Sequence, residues 1–143
     1  MDRGQPSVDI YSAIPPLTDI LITHGPPLGY GDTTKSGFRC GCEDLMRSLQ
    51  ERPTPPRVHI FGHIHEDRGV LVCVCVCVCM VIMCSISTHL LPTGAWHDGK
   101  TLFVNASTCT FRYRPTNDPI VVHLPFDKSY PASLVHLHTP EAT

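Results

Sequence analysis

The residues of this chain best suited to chemistry are two histidines one position apart, in Phe61-Gly62-His63-Ile64-His65-Glu66. They follow the apolar run Val58-His59-Ile60-Phe61. If that run is a strand that continues through them, alternation puts both imidazoles on one side of the chain. Neutral imidazole is the commonest protein ligand for transition metals, so a same-face pair can feed one ion or bridge two. An ordinary strand-end pair has the same spacing, and context has to separate the two. A further histidine, His24, closes Asp19-Ile20-Leu21-Ile22-Thr23-His24-Gly25-Pro26-Pro27, an aliphatic run cut off by a glycine and two prolines. It is expected where a buried strand gives way to its loop, which is where open α/β sheets hold ligands. Between the runs, residues 40–52 read as a helix with Leu45, Met46 and Leu49 on one face and Pro53 stopping it. The elements that must position the histidines are therefore strand, helix, strand, with a histidine ending each strand.

Four motifs then fall in a recognisable order: Thr23-His24-Gly25-Pro26-Pro27, Gly41-Cys42-Glu43-Asp44-Leu45, Phe61-Gly62-His63-Ile64-His65-Glu66, and the stretch from Gly99 through Asn105 to Cys109, continued by Pro115 to Val122. Together they resemble the calcineurin-like metallophosphoesterases, in the metallophosphodiesterase branch of MPPED-type (UPF0046) proteins. The resemblance covers Ile14 to Gly69 and Trp96 to about Pro125. It implies an α/β fold, a partial metallophosphoesterase sandwich corresponding to the C-terminal half of a two-sheet core flanked by helices. It implies hydrolysis of a phosphodiester, a small nucleotide-like one, by metal-activated hydroxide, with Mn, Fe or Zn as cofactor. Matched residue by residue, His24, His63 and His65 correspond to the family's three C-terminal metal histidines, each oriented through its other ring nitrogen. The family takes its remaining ligands from an earlier Asp-x-His, a bridging Asp and an Asn followed by a catalytic His. No Asp-x-His occurs in this chain, and Asp32, Asp44 and Asp67 sit in no matching motif. Two metals about 3.5–4 Å apart clamp the attacking and leaving oxygens of such a reaction. Three histidines without the bridging carboxylate are expected to hold one metal at most, so the chain is expected to be a fragment short of full activity. The alternative is a non-catalytic truncated isoform that binds metal or a partner.

The whole chain, 143 residues, is one domain's worth at most. Hydrophobic residues at 42% describe a globular sequence, and a net charge of −2 gives no reason to expect nucleic acid or an anionic membrane surface as partner. A phosphate group would have to be held locally, chiefly by metal. Of the eight cysteines, four fall in one alternating tract and the rest are scattered. With no secretory signal at the start, a disulfide scaffold is not expected, and the chain reads as intracellular, cytoplasmic and reduced.

That tract, within Val70 to Cys84, is the main anomaly, because about two dozen residues, 70–94, separate the His-x-His motif from the turn His97-Asp98-Gly99. Repeated Val-Cys is what a GT dinucleotide repeat encodes, so residues 70–94 are read as an aberrant insertion such as a retained intron. With 15 apolar residues before Ser85, the run falls short of the roughly 20 that span a bilayer, and its valines favour strand. Cys-x-Cys alternation lacks the spacing of zinc ribbons. Residues 1–13 read as a surface connector and 126–143 as a tail.

After the insertion, Asp98-Gly99 flanked by Trp96 and Leu102 predicts a hairpin into the strand Thr101 to Asn105. Asn105 is expected to cap the following Ala106-Ser107 turn rather than to touch substrate. Ser107 and Thr108 have no base beside them and are not nucleophile candidates. Arg112, Tyr113 and Arg114 could approach a phosphate or a planar ring, but such clusters are usually solvated. Residues 120–124 form the last expected strand, with His123 on its face. Cys40 and Cys42 are expected to open the helix in a structural role, with Glu43 and Asp44 favouring its dipole.

Overall fold

The computed structural model describes residues 5–68 and 95–135. The Val/Cys run and the pair His136 and His138 lie outside them. Along the chain come α1 (Gln5–Ser12), β1 (Ile20–Ile22), α2 (Glu43–Glu51), β2 (Val58–Phe61), a 3-10 turn (His65–Asp67), β3 (Ala95–His97), β4 (Leu102–Asn105), β5 (Val121–His123) and β6 (Ser133–Val135). The fold is mixed α/β. One sheet has the order β1-β2-β4-β3, with β1, β2 and β4 parallel and β3 antiparallel to β4; β5 and β6 form a second, antiparallel pair.

Alternation along β2 and β4 explains the core. Val58, Leu102 and Val104 are buried on one face, where Ala132 and the half-buried Ile120, Val122, Leu124 and Leu134 pack over them. The opposite face carries Phe61 and Phe103, covered by Leu45 and Leu49 of α2 with Tyr30 stacked on Phe103 at 4.0 Å between ring centroids. Both faces are covered, so these two strands read as near-continuous apolar runs. The expected hairpin forms between β3 and β4: Asp98 Oδ1 accepts the Lys100 and Thr101 amides at 2.9 and 2.7 Å, and Gly99 takes φ +95°.

Several expectations are corrected. β1 is an edge strand rather than a buried one; among the described residues it pairs with β2 alone, and Ile20 and Ile22 are 49% and 72% exposed. The segment read as a connector folds from Gln5 to Ser12 into α1, which packs on α2, with Ser48 Oγ donating to the Tyr11 carbonyl at 3.3 Å. The segment read as a tail supplies β6, whose three residues are too few for a periodic signal and form only by pairing with β5. Helix α2 starts at Glu43, not at Cys40, because Cys40–Cys42 is held in the preceding loop: Cys40 N donates to Asp32 O, Gly41 N to Asp32 Oδ2, and Cys42 N to Pro26 O. A side chain at Gly41 would meet backbone atoms of Pro27 and Leu28 at 2.5 Å, so only glycine allows this close approach. No described helix is long and apolar enough to cross a membrane.

Candidate metal centre

Because β1 and β2 run parallel, their carboxyl ends lie side by side, and each delivers a histidine two residues beyond its last strand residue. His24 Nε2 and His63 Nδ1 face one another at 3.1 Å, with ring centroids 4.8 Å apart and planes tilted by 57°. The pair is exposed to solvent. Its backbone is tied at each step: Thr23 N donates to Ile60 O and Gly62 N to His24 O, both at 3.0 Å.

The chain does not continue as a strand through His63. Ile64 N donates to Gly62 O at 2.8 Å, and His63 adopts φ +71°. A bond from i to i+2 around a positive φ is the strained form of the γ-turn, costing of order 1–3 kcal/mol in a residue with a Cβ. The strand alternation expected to place His63 and His65 side by side is therefore broken. His65 opens the 3-10 turn, sets its ring edge against Tyr113 at 5.1 Å, and lines a cleft of about 440 Å³ with Thr33, Lys35, Arg68, Phe111 and Asn117. A cavity of about 530 Å³ lies between α1 and α2, lined by residues such as Tyr11, Ser48 and Arg52 and by neither His24 nor His63.

Asn105 holds this loop in place. Fully buried, it donates from Nδ2 to the Ile64 carbonyl at 2.9 Å and to the Gly31 carbonyl at 3.3 Å, while Oδ1 accepts the Ser107 amide and hydroxyl at 3.1 and 2.7 Å. The expected cap is present, with a second task the sequence did not show, which is anchoring the residue between His63 and His65. Arg112, Tyr113 and Arg114 are exposed, as is His123 on β5.

The donor set can be tested against a metal. Metal–nitrogen bonds of about 2.0–2.1 Å at a tetrahedral angle separate two ligand nitrogens by about 3.3 Å, and at a right angle by about 2.9 Å. The observed 3.1 Å lies between, so His24 and His63 fit as neighbouring ligands of one ion. Among the described residues no group of three or more His, Cys, Asp or Glu comes together, so the structure gathers His24 and His63 but does not join His65 to them. Two of the carboxylates are otherwise engaged: Asp32 is fully buried against Arg39 at 2.7 Å, and Asp67 accepts the Thr33 amide at 2.7 Å.

One residue that sequence reasoning passed over stands beneath the pair. His59 of β2 faces the α2 side, fully buried between Phe61 and Phe103, with ring centroids at 5.1 and 5.8 Å. Burial pushes its pKa down to about 4, so the imidazole is neutral at pH 7. Its Nε2 lies 2.8 Å from Thr23 Oγ1, and Nδ1 is buried without a partner among the described residues. The available signal was a histidine inside a four-residue apolar strand, where a polar ring needs a reason.

The comparisons place this fold and its histidine pair among metallophosphoesterase domain-containing proteins. The chain is 41% identical over 126 residues to metallophosphoesterase domain-containing protein 1 of Homo sapiens, and equally to that of Mus musculus. It is 32% identical over 127 residues to a UPF0046 protein of Caenorhabditis elegans. These alignments take in 87, 87 and 86% of this chain but 31, 31 and 36% of the relatives, so the chain spans about a third of their length. No family model matches it. The chain belongs to the family of metallophosphoesterase domain-containing and UPF0046 proteins.

Proposed function

We propose that this chain carries the histidine part of a metal-dependent phosphodiesterase centre, with Mn, Fe or Zn as the ion and a small, nucleotide-like phosphodiester as the substrate class. The observation that carries the reading is the meeting of His24 and His63 at 3.1 Å on the open edge of the sheet. In it, His24 Nε2 and His63 Nδ1 would hold the ion, and His65 is the third ligand that the family resemblance implies. When bound there, the ion would act as a Lewis acid on the ester and on water. The chain's own residues contribute placement: Asn105 fixes the loop between the histidines, and the exposure of the pair leaves a path for an anionic ester. The two sheets, packed through Val58, Leu102, Val104 and Ala132, are read as part of the family's two-sheet core. The setting is read as intracellular.

The test is hydrolysis of a chromogenic phosphodiester with added Mn(II). Turnover above the metal-only background that His63→Ala reduces at least tenfold is the expected result; equal rates from both chains would overturn the reading. A second reading rests on the lack of any three-ligand group among the described residues, together with the chain's span of about a third of its relatives. In that reading the chain is a non-catalytic isoform that binds metal or a partner, and it is selected if metal binds through His63 without turnover.

A further inference from the structure

We propose that His59 and Thr23 are positioning residues for His24: a buried imidazole that touches neither metal nor substrate orders the loop bearing the ligand through a directed hydrogen-bond chain. This goes deeper into the reading of His24 as a ligand and rests on it for the metal-affinity measurement only.

The direction of the chain follows from its end. Thr23 Oγ1 lies 2.7 Å from the Gly25 carbonyl, which can only accept, so the hydroxyl proton is committed there. The same oxygen, 2.8 Å from His59 Nε2, must then accept, which fixes His59 as the Nε2–H tautomer. Its Nδ1 is left as a bare acceptor, in keeping with the absence of a partner for that atom among the described residues. The sequence of donors is thus His59 Nε2–H to Thr23 Oγ1–H to Gly25 O, and it brackets His24 on both sides.

Two backbone bonds complete the bracket, Thr23 N to Ile60 O before the ligand and Gly62 N to His24 O at it, both 3.0 Å. With residues 23, 24 and 25 each held, the main freedom left to His24 is rotation of its ring. The chain also crosses from β2 to β1, so the strand that ends in His63 sets the position of the loop that bears His24. Partners behind a metal ligand usually bond its free ring nitrogen; here the support acts on the backbone around the ligand. A packing role alone would be met by an apolar side chain, without a buried nitrogen left unpaired among the described residues.

The test compares Thr23→Val and His59→Leu, which cut the chain, with Thr23→Ser and His59→Gln, which keep a hydroxyl and a donor. Amide hydrogen exchange at Gly62, the donor to the His24 carbonyl, reports the loop without any metal, and calorimetric Zn(II) titration reports the ligand pair. The cutting variants are expected to speed Gly62 exchange at least tenfold, leave Phe103 and Val104 amides within about threefold, and weaken Zn(II) binding about 10–100-fold. The conserving variants should stay within about threefold on both. Gly62 exchange unchanged in Thr23→Val, or all amides quickening together in every variant, overturns the proposal. If the unaltered chain fails to bind Zn(II), the ligand reading falls, and Gly62 exchange alone still decides whether His59 orders the loop.

Discussion

Lowering the pH from 7 to 4 is expected to cost the fold about 3 kcal/mol through His59 alone. The ring is neutral and buried in the native chain with a pKa near 4, against 6.5 when unfolded. The unfolded chain therefore binds the extra proton first, so stability is full above about pH 6.5, falls as the pH drops toward 4, and levels off below it. A shift of this size corresponds to about 3 kcal/mol at 1.36 kcal/mol per pH unit. Urea unfolding of the chain and of His59→Leu at steps between pH 7 and 5, before most carboxylates titrate, isolates the effect. The difference in unfolding free energy between them should change by roughly 1 kcal/mol per unit in that window. Parallel curves would show that His59 is solvated or charged in the native state.

Replacing His63 should separate stability from metal binding. The strained γ-turn at φ +71° suits glycine, whereas any residue with a Cβ bears the left-handed penalty of about 1–2 kcal/mol. His63→Gly is expected to be more stable than His63→Ala by about 1 kcal/mol, and at least as stable as the unaltered chain. Both should lose Zn(II) affinity by about 100-fold or more, since each removes one of the two nitrogens that meet. Urea midpoints alongside calorimetric titration give both quantities. A destabilised His63→Gly would mean that the ring supports the fold, and retained affinity would remove His63 from the site.

Much of the frame around the pair was legible from the chain. The runs ending at Ile22 and Phe61, the helix between them with Leu45, Met46 and Leu49 inward, and the Asp98-Gly99 hairpin each carry a local pattern strong enough to be seen alone. Parallel pairing of the two runs then brings His24 to His63. The rest depends on tertiary context. The exposure of Ile20 and Ile22 is set by which strands lie beside and above β1, and composition cannot show that. The path of His65 turns on the left-handed conformation at His63, rare for a non-glycine residue and invisible to an alternation rule. The role inferred for His59 needs Thr23 to be its neighbour, a contact across 36 positions. Strand β6 is three residues long and exists by pairing with β5.

The most direct test of the account is calorimetric Zn(II) titration of the purified chain beside its His24→Ala, His63→Ala and doubly substituted forms. All four keep the cysteines of the Val/Cys run and the histidines at 136 and 138. The unaltered chain should bind one more zinc ion than the double variant, with each single variant losing that same site. Identical stoichiometry and affinity in all four would contradict it and leave the two histidines as a hydrogen-bonded pair at a strand edge.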